Sequence, residues 1–150
     1  MTIRTLKKAD LPTIMAIEQS IHLTPWTRDT FLMCFESQYA GWVAEADDKI
    51  IGFIIASIHS DECHILNVCI LREYQHQGYG LKLMDQALTH AKKQGAGIAY
   101  LEVRKSNTKA IALYRKMKFL QVGERKEYYP SANGNEDALI FAKSLITEIS

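Results

Sequence analysis

The sequence predicts an α/β chain of the α+β kind, with a mixed, mostly antiparallel sheet of six or seven strands flanked by about four helices. Three observations lead there. The apolar or β-branched runs Trp42–Ala46, Ile50–His59 and His64–Ile70 follow one another with only short turns between them. Leu81, Met84, Leu88 and Ala91 then recur at helical spacing and lead into another strand-like run, Ile98–Val103. Two more such runs, Leu120–Tyr128 and Ala138–Lys143, complete the chain.

Taken in order, Ile3–Leu6 suits a short strand, and Asp10 is placed to cap a helix that has Pro12 in its first turn and Ile14, Ile17 and Ile21 on one side. Thr27 is a second N-cap, and Trp26 before it can pack on Phe31 as a hydrophobic staple; that helix ends near Ser37. Asp47-Asp48-Lys49 turns the first hairpin and Ser60-Asp61-Glu62 the second. Gln75 to Gly80 is a polar, glycine-containing loop before the amphipathic helix, which Gly95-Ala96-Gly97 stops. A further helix runs from about Asn107 to Met117, and residues 130–135 read as the loop between the last two strands.

With 150 residues, 47% apolar and 23% charged side chains, the chain has the balance of one domain covering residues 1–150. The net charge of +1 gives no overall electrostatic case for nucleic acid or a membrane. No signal peptide or bilayer-spanning run is present, so a cytoplasmic protein is expected, and a monomer. Cys34, Cys63 and Cys69 form no C-x-x-C pair and read as reduced, buried thiols. His22, His59, His64 and His90 show no metal-ligand spacing; structural roles and no metal are expected.

Gln75-His76-Gln77-Gly78-Tyr79-Gly80 lies between a strand and a helix, where free backbone N–H groups and the helix dipole converge on an anion. Gly78 and Gly80 lack the Cβ atoms that would hold phosphate oxygens away. The spacing is neither that of a Walker loop nor of a dinucleotide fingerprint. Taken alone, the segment is equally a glycine-rich connection with no ligand.

Strand alternation puts Glu102 on one face with Ile98 and Tyr100. Partial desolvation there would raise its pKa and suit it to accept a proton; the alternative is a solvated strand-end glutamate paired with Arg104. Tyr114 shares a stripe with Ala110, Leu113 and Met117, a pattern that more often marks a packing tyrosine than a catalytic one.

Gln75-x-x-Gly78-x-Gly80, together with Ser106-Asn107 and Ala110 to Tyr114, resembles the GNAT superfamily of acetyltransferases. The resemblance implies a sheet split near its middle and acetyl-CoA as co-substrate. It implies that Val68, Cys69 and Ile70 offer backbone to the pantetheine and acetyl carbonyl, and that Gln75, His76, Gln77, Gly78, Tyr79, Gly80 and Leu81 hold the pyrophosphate. Asn107 would contact the cofactor, Glu102 would accept the proton and Tyr114 would donate one. Ile17-Glu18-Gln19, Pro25-Trp26, Leu101-Glu102-Val103-Arg104 and Tyr128-Tyr129-Pro130 narrow the resemblance to the bacterial ribosomal-protein-alanine N-acetyltransferases. That group implies direct transfer in a ternary complex to the N-terminal alanine of a small-subunit ribosomal protein; the alternatives are a lysine, polyamine or other small amine as acceptor, or a non-catalytic acyl-CoA-binding module. From their place on a loop, Tyr128 and Tyr129 could line the acceptor groove, with Glu136 or Asp137 attracting its cationic end; the pattern equally describes strand-end aromatics and loop charges. The chain departs from the family pattern at Leu71-Arg72, where Asp-Pro is common, and at Lys118, where glycine is usual.

Overall fold

A computed structural model of the chain describes residues 1–131 and 134–146. Among them, seven strands form one sheet: β1 (Thr2–Thr5), β2 (Ala40–Ala46), β3 (Lys49–His59), β4 (Glu62–Ile70), β5 (Ile98–Arg104), β6 (Leu120–Ser131) and β7 (Gly134–Ser144). Their order is β1-β2-β3-β4-β5-β7-β6, and only β4 and β5 run parallel. Helices α1 (Leu11–Ile21) and α2 (Arg28–Glu36) cover one face, and α3 (Tyr79–Lys93) and α4 (Thr108–Lys116) the other. No helix among the described residues is long and apolar enough to cross a membrane.

Each face has its own core. Ile14, Ile17, Phe31, Phe53 and Ile55 pack under α1 and α2, while Ile54, Leu83, Met84, Leu101 and Phe141 pack under α3 and α4. Alternation within the strands produces this division, because neighbouring residues of one strand serve opposite layers.

Local signals landed where the residues suggested. Thr27 accepts the Thr30 N–H at 3.2 Å, and the Trp26 and Phe31 rings meet edge-on at 5.2 Å. Asp47 and Asp48 both take positive φ, as a tight hairpin turn requires. Asp10 differs: its side chain makes no cap bond to α1. Its two oxygens take a bidentate grip from Arg4 at 2.9 Å each, with the Lys7 N–H at 2.8 Å, and the guanidinium holds the carboxyl below its usual range.

The expected loop over 130–135 is mostly strand: Pro130 pairs with Asn135 and Ser131 with Gly134, while Ala132 and Asn133 lie outside the described residues. Pro130 is tolerated because β6 is an edge strand, where a missing N–H breaks no second ladder. Lys118 sits at φ 74 just past α4, the left-handed position that favours glycine, so the departure there is confined to a helix end at a cost of about 1–2 kcal/mol.

Candidate active site at the sheet split

β4 and β5 pair only from Glu62↔Ile98 to Ile65↔Leu101. Beyond that point β4 continues against β3 and β5 against β7, so the two parallel strands part. The register of β3 on β4 slips there: Ile55 faces Asn67 and Ala56 faces Ile65, leaving Leu66 as an extra, exposed residue. A one-residue bulge exchanges the faces. Cys63 and Ile65 lie in the core under α3, whereas Cys69 lies in the core under α1 and Val68 and Ile70 turn to the α3 side.

Among the described residues, the freed limb of β4 has no strand partner on its β5 side. Leu71 N–H bonds Ile51 O at 2.8 Å, and alternate residues of an antiparallel strand bond the same neighbour. Cys69 therefore turns its main-chain groups toward β3, while Val68 and Ile70 turn theirs into the opening. Of the three backbone candidates, two face the gap.

The loop that follows has His76 at φ 63 and Gly78 at φ 87, and α3 begins at Tyr79, two residues before the expected start. The N–H groups of its first turn have no intrahelical partner and point out of the helix end. Gln75 Nε2 donates to Ile70 O at 3.0 Å and Gln77 Nε2 to Glu73 O at 3.1 Å, so both glutamine side chains brace the loop. A Cβ on Gly80 would sit 3.8 Å from Leu113 and 3.9 Å from Ile70, which puts the loop, the β4 limb and α4 together. Such a cradle suits an anion. Asn107 Oδ1 caps α4 through the Ala110 N–H at 3.2 Å, leaving its amide nitrogen for a ligand.

Glu102 and Tyr114 lie on opposite faces of the sheet. Ala99, Leu101 and Val103 of β5 belong to the core under α3 and α4, so Glu102 projects from the other side. Its side chain keeps 30% of its exposure and meets Arg125, 3.3 Å away, rather than Arg104. Tyr114 is 7% exposed, with its ring edge-on to Phe119, and burial pushes its phenol up to about 12. Tyr129 lies within electrostatic reach of both: burial first and the Glu102 carboxylate second push its phenol up to about 12, and it in turn raises Tyr114.

Arg104 holds Tyr129 in place. Its guanidinium lies 4.7 Å over the Tyr129 ring and donates to Pro130 O at 2.7 Å and to Glu136 at 3.0 Å; Glu136 also accepts from Ser106 N–H and Oγ. Asp137 accepts the Glu127 N–H at 3.0 Å and faces Lys126 and Lys105. Both acids considered for attracting an amine are thus engaged, Glu136 by Arg104 and Ser106 and Asp137 by Glu127, Lys126 and Lys105.

The three cysteines are free and buried, and desolvation raises each thiol, Cys63 to about 11. A cavity of about 250 Å³ lined by Cys34, Tyr39, Trp42 and His90 opens beside β1 and β2, but no carboxylate lines it. Glu18, His22 and Cys69 bring donor atoms within 4.8 Å of one another, a grouping that their separation in the chain conceals.

Residues 9–119 match the acetyltransferase (GNAT) family. The chain belongs to the GNAT family of acetyltransferases. GNAT enzymes use acetyl-CoA, and the split and the glycine-containing loop at the start of α3 fit that donor. The chain is 36% identical over 141 residues to the [ribosomal protein bS18]-alanine N-acetyltransferase of Escherichia coli (strain K12), covering 94% of this chain and 95% of that protein. It is also 36% identical to the enzyme of that name from Haemophilus ducreyi, over 93% of this chain and 97% of the relative. The crystal structure of the E. coli ribosomal-protein-S18-alanine N-acetyltransferase superposes with a TM-score of 0.92 at 35% identity, over 98% of this chain and 95% of that one. Ard1 from Thermoplasma volcanium superposes on this GNAT chain with a TM-score of 0.87 at 25% identity, over 97% and 98%.

Proposed function

We propose that this protein is a single-domain enzyme that acetylates the N-terminal alanine of the small-subunit ribosomal protein bS18 by direct transfer from acetyl-CoA in the cytoplasm. The observation that carries this reading is the similarity, over 94% of the chain, to enzymes named for that acceptor; a carboxylate and a phenol on opposite faces of the sheet support it.

In this reading the cradle of Gln75 to Leu81 binds the pyrophosphate through its main chain. Val68 and Ile70 bond the pantetheine as an added strand would, and a backbone N–H of the limb polarises the thioester carbonyl. Cys69 contributes shape, since its buried thiol is held protonated. The acceptor enters from the α1 and α2 side, past Tyr128 and Tyr129, to meet Glu102. Its Arg125 partner is 53% exposed, and such a pair is worth under about 1 kcal/mol, so an incoming ammonium can displace it. Glu102 takes the amine proton, directly or through one water. The nitrogen lone pair forms the new N–C bond, the C–S bond breaks, Tyr114 protonates the departing thiolate, and the second proton shed by the nitrogen passes to solvent, from which the phenol is restored.

An α-amino group, of pKa about 8, is roughly one-tenth neutral at pH 7, whereas a lysine of pKa about 10.4 is neutral roughly once in two thousand. A modest base therefore suits an N-terminal amine. Acetyl transfer to a short peptide beginning with alanine is expected, with the added mass on the first residue, and N-terminal blocking is expected to abolish turnover. Acetylation of an internal lysine instead would contradict the assignment of acceptor.

Gly78 gives a test of the donor side. At φ 87 a β-branched residue is strained by on the order of 1–2 kcal/mol, so Gly78→Val is expected to raise the CoA Kd about tenfold while the fold persists. An unchanged Kd by calorimetry would put the phosphates elsewhere.

A further inference from the structure

We propose that Glu18 is a positioning residue for the acceptor: a buried carboxylate that ties the α1–α2 connection to the freed limb of β4 and so sets the width of the acceptor groove. This rests on the functional reading above. Glu18 is 1% exposed and sits in the last turn of α1, where desolvation and the negative end of the helix dipole both oppose a carboxylate. Its partners hold it there. Oε2 accepts the Trp26 N–H at 2.9 Å and Oε1 the Asn67 amide at 2.9 Å, with His22 Nε2 3.4 Å from the same oxygen.

The two hydrogen bonds join the α1–α2 connection to the limb of β4 that borders the split. Asn67, 8% exposed, follows the Leu66 bulge and precedes Val68, on the side of β4 that faces away from α3. Trp26 closes the connection between α1 and α2 on that same side, packed on Phe31. Glu102 projects from this face too. One carboxylate therefore fixes the acceptor-side wall without touching the donor cradle at the start of α3. The cluster with His22 and Cys69 has the donor types of a cation site, but both Glu18 oxygens are already taken by N–H donors, so the geometry favours a hydrogen-bonded tether.

The test compares peptide KM, kcat and calorimetric CoA Kd for wild type, Asn67→Leu and Glu18→Gln. Asn67→Leu removes the donor from β4 at similar volume, and it is expected to raise the KM for an alanine-initiated peptide about tenfold or more, with kcat and CoA Kd within about twofold. Glu18→Gln retains an acceptor for Trp26 and can donate to the Asn67 oxygen after an amide flip, so its KM is expected to stay within about threefold of wild type. If Asn67→Leu does not fold, Asn67→Ala carries the same expectation. Wild-type turnover with an unchanged KM in the Asn67 variant overturns this inference alone, as does a CoA Kd that worsens in parallel. A wild-type enzyme that leaves the peptide unacetylated overturns the functional reading and this inference with it.

Discussion

Glu102→Gln is expected to lower kcat/KM for an alanine peptide by about a hundredfold at pH 7, and by more as the pH falls. Below a pKa of about 8 the substrate's α-amine is mostly ammonium and has no lone pair to attack with. Glu102 projects from β5 on the face away from α3 and α4, half-buried and paired with an exposed arginine. An amide there keeps the shape but cannot take the proton. Loss of the Arg125 pair costs under about 1 kcal/mol, so the fold should survive. Above pH 9 the free amine supplies itself, and the variant should approach wild type. A loss of equal size at every pH would make Glu102 a structural residue and remove it from the chemistry.

Tyr114→Phe is expected to reduce kcat about a hundredfold while leaving the CoA Kd within about twofold. The ring is buried against Phe119, and phenylalanine preserves that contact. What disappears is a proton. With its phenol pushed up to about 12 by burial, Tyr114 stays protonated across the working pH range and is ready to meet a thiolate whose conjugate acid has a pKa of about 8.5. The sign follows: a raised phenol pKa means that Tyr114 itself should give no fall in rate until the pH nears that value. Unchanged kcat in the variant would remove the acid assignment.

What could be read from the residues alone was whatever local chemistry decides. The Thr27 cap, the Trp26 staple and the Asp47-Asp48 turn depend on neighbours within a few positions, and each is found as expected. The parting of β4 from β5 came by resemblance, since Ile65 to Ile70 has no glycine or proline to announce the bulge at Leu66. That bulge is what sends Asn67 toward α1 and Val68 toward α3. Asp10 looked like a cap because it precedes a helix, but Arg4 offered two charge-assisted donors and won the carboxylate. Glu102 lies two residues before Arg104 on one strand face, yet Arg104 is drawn to Glu136 and Pro130 across the hairpin, which leaves Arg125 as the partner. Glu18 was visible only as part of a motif. Its burial depends on Asn67, 49 residues away, and no periodicity encodes such a pairing.

The most direct measurement is a crystal structure with a bisubstrate in which CoA is joined to the α-nitrogen of an alanine peptide. The Tyr114 hydroxyl should lie within hydrogen-bond distance of the sulfur, and the Glu102 carboxylate should reach the alanine nitrogen directly or through one water, from the opposite face of the sheet. A ligand whose sulfur and nitrogen both lie beyond reach of these two side chains would contradict the account.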